Sequence, residues 1–342
     1  MDASHTVRWG ILGAGGIAHR FARALAHESG SELVAISARS PEKAAAFADE
    51  FGVAPERAYA EHPGDAAGAG HARLLDDGDL DAIYLALPHG MHCLWAERAL
   101  RAHKAVLCEK PAAISAGEME YIAAVARETG TLFMEAMKTR FEPAYRAVRR
   151  LVHEGAIGPV RRVEASLCND VDRARWEESS YYLDPVQGGT LLDTGIYCAG
   201  WLEDFLLPDT PDVPFSVTGV TAAYYRGVDV FDDAELVAGE RTGRLACAFD
   251  RAGSRQAVIE GSAGRIVVDD LHRPQRFVLE APYGAEPHAF DCPYEVDDFY
   301  PQIAHVAELV RAGAAESPIM PLAASIRCAA LLDAVRVASP GA

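Results

Sequence analysis

The chain has 342 residues, half of them hydrophobic and 24% charged, with a formal net charge of −18. That length predicts two domains, and that composition predicts a globular protein. So acidic a balance argues against nucleic acid or an anionic membrane as partner, since both need a basic face; a neutral or cationic small molecule suits it better.

The first stretch with a clear pattern is residues 7–18, V-R-W-G-I-L-G-A-G-G-I-A. A β-branched apolar run ends in glycines and opens into residues 17–25, whose apolar positions recur at helical spacing. This strand, tight turn and helix form the context that a dinucleotide fingerprint requires. Gly13 permits the turn, and Gly15, beside Gly16, lets the backbone approach a pyrophosphate. Ala18 takes the third small position, after Ile17, where helix and strand pack closely. The amides at the helix start would face the phosphates.

Residues 32–38 read as a second strand. Ser40 then suits an N-cap and Pro41 a first helical position, for a helix that ends near Gly52. Residues 62–70, rich in Gly and Ala, read as a surface loop. A nearly continuous apolar run over 81–87 predicts a strand buried on both faces. A helix over 92–102, a strand over 105–108 and a helix over 115–129 follow. Strand alternating with helix means a parallel sheet, and the first domain should run from 1 to about 130.

The rhythm then changes. After a helix over 143–153 come short alternating segments at 161–167, 217–225, 234–238, 244–249, 256–260, 265–269 and 277–280. Glycine-containing turns separate several of them, as in an antiparallel sheet. Helices over 301–312 and 322–338 close the second domain, 131–342, the last expected to pack back on the first. Val217, Val220 and Tyr224 alongside Ala222 and Tyr225 suggest apolar side chains on both sheet faces, hence a homodimer through the sheet. The seven cysteines are scattered, with no C-x-x-C pair, so neither a disulfide framework nor a zinc site is expected. Residues 1–6 carry no basic or apolar leader and no run is long enough to span a bilayer, so the expected location is the cytoplasm.

Ligands of parallel sheets lie at strand ends, so the loops after strands carry the candidates. Leu87-Pro88-His89-Gly90-Met91-His92 follows one strand, and Glu109-Lys110-Pro111 follows another. Two histidines three apart lack a third ligand, so they read as a loop beside a cofactor and no metal is expected. Lys110 ends a buried strand in the presumed crevice. In the second domain, Gly188–Tyr197 reads G-G-T-L-L-D-T-G-I-Y. If helical, it would set Asp193 and Tyr197 one turn apart, able to bind a hydroxyl and exchange its proton; a packed helix with a buried Asp193 is the alternative. The second strand ends in Ser37-Ala38-Arg39-Ser40, with Lys43 following. An NAD enzyme usually places a carboxylate there, whereas hydroxyls and cations suit a 2′-phosphate, so NADP is expected, with NAD possible.

Together, G-A-G-G-I-A near the start, C-E-K-P at Cys108–Pro111 and G-G-T-L-L-D-T-G-I-Y resemble the Gfo/Idh/MocA oxidoreductase family over nearly the whole chain. Phe133–Met137 with Arg140-Phe141, and Glu316–Leu322, look most like its dihydrodiol dehydrogenase and NADP-dependent D-xylose dehydrogenase branch. The resemblance implies an α/β protein: an N-terminal Rossmann domain, then an α/β domain with a large, mostly antiparallel open-faced sheet often used for dimerisation. It implies hydride transfer between a nicotinamide cofactor and a sugar, cyclitol or diol. Lys110 matches the lysine close to the reacting hydroxyl, and Asp193 the aspartate that helps bind substrate. Tyr197 stands where most sugar-oxidising members have histidine and the dihydrodiol branch has tyrosine. It would take the hydroxyl proton, with Lys110 lowering its pKa. The loop from Arg173 to Tyr182 is individual to this chain and expected to shape substrate choice. The rival readings are a redox glycosidase of the same fold and a non-catalytic cofactor-binding regulator.

Overall fold

The structure is a computed structural model that describes residues 5–178, 181–207 and 214–339. The chain forms two compact units: Met1–Ala113 with Gly117–Lys138 and Val296–Leu322, and Ile114–Ala116 with Thr139–Glu295 and Ala323–Ala342.

The first unit alternates strand and helix: β1 (Val7–Leu12), α1 (Gly16–Leu25), β2 (Ser31–Ala38), α2 (Pro41–Phe51), β3 (Ala58–Ala60), α3 (Ala69–Leu75), β4 (Ala82–Leu85), α4 (His92–Arg101), β5 (Ala105–Cys108), α5 (Ala116–Thr129) and β6 (Phe133–Glu135). The strands are all parallel, in the order β3-β2-β1-β4-β5-β6. This is the doubly wound order with its switch point between β1 and β4, the crevice where such sheets take ligands. β4 and β5 are buried at every position, because helices cover both faces of a parallel sheet. Phe21 of α1 packs on β1 and β4, edge-on to Trp9 at 5.3 Å and stacked on Tyr84 at 3.9 Å. α2 starts and stops as its sequence dictates. The Ser40 hydroxyl accepts the Lys43 N–H at 3.3 Å, Pro41 opens the helix and Gly52 closes it with φ of 72°.

The second unit holds α6 (Pro143–His153), β7 (Val160–Cys168), α7 (Arg173–Glu178), a π-turn (Leu191–Gly195), α8 (Ile196–Leu206), β8 (Phe215–Tyr225), β9 (Val228–Ala238), β10 (Arg241–Ala248), β11 (Ala257–Gly261), β12 (Arg265–Val268), β13 (Arg276–Glu280) and β14 (His288–Asp291). Its sheet runs β14-β13-β12-β11-β7-β10-β9-β8, antiparallel except where β7 pairs with β10. α8 packs on β7 and β10 and is buried all round, so its sequence is apolar without a polar stripe. Its one buried acid, Glu203, is met by Arg140 and Arg327.

Several boundaries differ from the sequence reading. Residues 62–70 lead into α3, and β3 and β14 were not expected, because three- or four-residue elements give no period to read. The parallel sheet takes β6, so the first unit runs past 130 to Lys138. The helix that returns to the first unit is α9 (Tyr300–Ala312), which meets α1 and β1; the last helix, α10 (Leu322–Ala338), belongs to the second. The second sheet face is mixed rather than apolar. Half-buried Val258, Val267 and Val278 stand in register across β11, β12 and β13. Beside them run the ion pairs Arg162–Glu164 at 2.7 Å, Arg162–Glu235 at 3.4 Å and Arg244–Asp233 at 2.6 Å.

Candidate active site

The phosphate cradle is built where β1 turns into α1. Gly13 has φ of 101°, and a Cβ there would strike the Ala86 carbonyl, so only glycine fits between β1 and the loop after β4. Gly15 and Gly16 are exposed, and a Cβ on either would meet nothing. α1 begins there, half-buried Ile17 and buried Ala18 in its first turn, with no side-chain cap. An open backbone at a ten-residue helix N-terminus is the setting in which a pyrophosphate docks.

At the end of β2 the four expected residues separate. Arg39 and Lys43 are exposed, and Ser40 is half-buried with its hydroxyl shared between Glu42 and the Lys43 amide. Ser37 is placed differently from the other three. It is wholly buried, and its hydroxyl bonds His71 Nδ1 at 2.7 Å and the Ile11 carbonyl at 3.4 Å. Residues 35–38 are all buried, as both faces of a parallel sheet are covered.

The loops after β4 and β5 are joined by His92. Its ring nitrogens reach the Pro111 carbonyl at 2.9 Å and the Leu87 carbonyl at 2.8 Å. His92, expected as a cofactor contact, is fully buried and ties the two loops together. Burial, and then the Lys110 charge, pull its pKa down, against the pull of the two carbonyls. His89 is buried too, Leu87 is half-buried and Pro88 exposed.

Lys110, half-buried, follows Glu109, which is 9% exposed. The Tyr84 hydroxyl donates to Glu109, and the Lys110 N–H does so at 3.3 Å. Burial raises the Glu109 pKa, against the hydrogen bonds and the charges of Lys110 and Lys138. The stacked core ring Tyr84 thus also fixes the carboxyl next to Lys110. Glu109 is held inward by these bonds.

In the second unit, the segment with Asp193 and Tyr197 is not a plain α-helix. Leu191–Gly195 forms a π-turn, and α8 continues from it. A π-turn holds one residue more than an α-turn, and such turns often mark functional sites. The Thr194 hydroxyl bonds the Thr190 carbonyl at 2.9 Å and the Thr190 hydroxyl at 2.8 Å, closing the turn. Asp193 is half-buried. Tyr197 is 6% exposed and meets His272 edge-on, ring centroids 4.5 Å apart. Nothing in the sequence had marked His272, which arrives from the turn between β12 and β13.

Of the loop expected to tune substrate choice, Ser179 and Ser180 lie outside the described residues. Trp176 and Tyr182 both pack on Phe249, and Arg173 lies 4.5 Å over the Tyr225 ring. Among the described residues, no group of three potential metal ligands occurs, and no helix is long and apolar enough to cross a membrane.

Comparison with known proteins gives the same picture from another side. Residues 7–137 match the model of an oxidoreductase family with an NAD-binding Rossmann fold, and residues 145–267 match the GFO/IDH/MocA C-terminal domain. Trans-1,2-dihydrobenzene-1,2-diol dehydrogenase of Mus musculus is 31% identical, over 97% of this chain and 96% of its own. The dTDP-3,4-didehydro-2,6-dideoxy-alpha-D-glucose 3-reductase of Streptomyces violaceoruber is 34% identical, over 99% and 98%. A 3-ketoreductase from Actinomadura kijaniata, solved with NADP and TDP-benzene, superposes with a TM-score of 0.82 at 30% identity over 98% of both chains. Two family models over most of the chain, with full-length relatives above 30% identity, make this protein a member of the Gfo/Idh/MocA oxidoreductase family.

Proposed function

We propose that this oxidoreductase transfers hydride between NADP(H) and a secondary alcohol or carbonyl of a sugar, cyclitol or cyclic trans-diol. The observation that carries the reading is the open, uncapped glycine cradle at the switch point of a doubly wound sheet, with Arg39 and Lys43 exposed beyond β2. Cations there suit a 2′-phosphate. Similarity to dihydrodiol dehydrogenases and sugar 3-ketoreductases supports the substrate class.

The bound nicotinamide supplies the hydride chemistry, and the protein supplies binding, orientation and proton transfer. In oxidation, the C–H bond of the carbinol gives up hydride while Tyr197 takes the hydroxyl proton, leaving a carbonyl. Asp193 accepts a hydrogen bond from a substrate hydroxyl and so orients it. A free phenol near pKa 10 is a weak base at neutral pH, and Lys110 is the cation proposed to lower it.

The test is a substrate panel of D-xylose, other aldoses, inositols and trans-1,2-dihydrobenzene-1,2-diol, each with NADP and with NAD, read at the nicotinamide absorbance. Turnover of at least one polyol with NADP is expected. Glycoside cleavage without net cofactor turnover would replace this reading with the redox glycosidase, and inertness across the panel would replace it with the regulator.

A cytoplasmic homodimer through the large sheet is proposed as the working assembly. The half-buried valine row of β11, β12 and β13 and the charge pairs beside it favour a self-complementary contact. A monomer in light scattering at micromolar concentration would refute it.

A further inference from the structure

The glycine pair that opens the π-turn has a partner outside its own segment. Gly189 has φ of 92°, and any Cβ there would collide with the Asp229 carboxyl group. Asp229 Oδ2 accepts the N–H of Leu191, first residue of the turn, at 2.7 Å. Asp229 in turn lies against Asp232, three residues on in β9. Asp232 is 1% exposed; its Oδ1 receives the Ser339 hydroxyl at 3.5 Å, and its buried Oδ2 meets no N–H or O–H donor among the described residues. A cavity of about 210 Å³, lined by Asp229, Asp232, Tyr224, Arg336 and Ser339, opens onto the two carboxyls.

We propose that the Asp229–Asp232 carboxyl pair is a positioning device that anchors the start of the π-turn and thereby sets Asp193 and Tyr197. Two carboxylates in contact cannot both ionise cheaply, and a buried oxygen without a donor is costly unless a proton lies between them. The Asp232 carboxyl is pushed up to about 8, first by burial and then by the Asp229 charge, with Ser339 and Arg336 pulling the other way. Tyr224 of β8 and Cys247 of β10 also face the pair. Both are themselves pushed up, chiefly by burial and further by the two aspartates, so neither relieves the negative charge at neutral pH. Near pH 7 the pair holds one proton, which Asp232 donates to Asp229, leaving Asp229 an oxygen for Leu191. Above about 8 that proton leaves, the carboxylates repel each other and the anchor loosens.

That this matters for turnover rests on Asp193 and Tyr197 being catalytic; the anchor itself is tested without substrate. The measurement is the hydrogen-exchange protection factor of the Leu191 amide between pH 6.5 and 9, for the wild type, Asp232→Asn and Asp229→Ala. Wild-type protection should drop about tenfold above pH 8, the usual effect of losing one hydrogen bond. Asp232→Asn keeps a donor that cannot ionise, so its protection should be high and flat. Asp229→Ala should be weakly protected at every pH. An Asp232→Asn profile that falls with the wild type, or wild-type protection in Asp229→Ala, overturns the proposal. Should Asp229→Ala fail to fold, the Asp232→Asn comparison decides alone. With trans-1,2-dihydrobenzene-1,2-diol and NADP, Asp232→Asn should also lose any alkaline fall in kcat near pH 8.

Discussion

The hydroxyl of Ser37 and the Nδ1 of His71 meet at 2.7 Å beneath the end of β2, both side chains buried. His71 also lies edge-on to Trp95 at 5.0 Å. Burial drives its pKa down from 6.5 to about 4. The folded protein therefore refuses a proton that the unfolded chain accepts between pH 6.5 and 4. The stability contributed by neutral His71 is full above 6.5 and is lost as pH falls toward 4, by up to about 3 kcal/mol. His71→Gln should flatten the loss of Tm between pH 6.5 and 4 in calorimetry. An unchanged slope would mean the ring already ionises in the fold.

Tyr197→Phe removes one hydroxyl and leaves the ring against His272, so the fold and Tm should survive. If Tyr197 transfers the proton, kcat on the best polyol should fall by roughly 10²–10⁴ with little change in NADP affinity. If Lys110 is the cation that lowers the phenol's pKa, Lys110→Met should lower kcat and move the acid limb of the pH–rate profile for oxidation to higher pH, since loss of a cation raises a phenol's pKa. Near-normal kcat in Tyr197→Phe would make the tyrosine a packing residue.

Arg39 is exposed at the end of β2 and Ser37 is not. Arg39→Glu should therefore lower kcat/KM for NADP at least tenfold while changing that for NAD little, because one charge-assisted contact to phosphate contributes about 1.5–3 kcal/mol. Ser37→Ala should cost stability and leave the cofactor ratio alone. Steady-state kinetics with both cofactors checks the pair.

His92 ties the Leu87 and Pro111 carbonyls. His92→Leu leaves both without this partner and should cost about 1–3 kcal/mol in denaturant unfolding. Because Pro111 adjoins Lys110, kcat should fall as well, with KM for NADP less affected. Unchanged stability would show that the loops hold each other without the ring.

What the sequence determined alone was whatever depends on neighbours along the chain. The strand–glycine–helix entry at Val7–Ala18, the Ser40-Pro41 start and Gly52 stop of α2, and the ends of α6 and α10 all rest on local period and capping chemistry. The motifs C-E-K-P and G-G-T-L-L-D-T-G-I-Y likewise pointed to the family that the full-length comparisons show. Tertiary structure decided the rest. Ser37 and His92 are buried, which only the sheet and the packing of α4 determine. Glu135 lies in β6, so the first unit extends past Gly130 to Lys138, and α9 returns to it from a distant part of the chain, Tyr300–Ala312. No spacing rule could place His272 beside Tyr197, or Asp229 where Gly189 would carry a Cβ. Those meetings join elements distant in sequence, and their energy comes from burial and close approach rather than from any local preference.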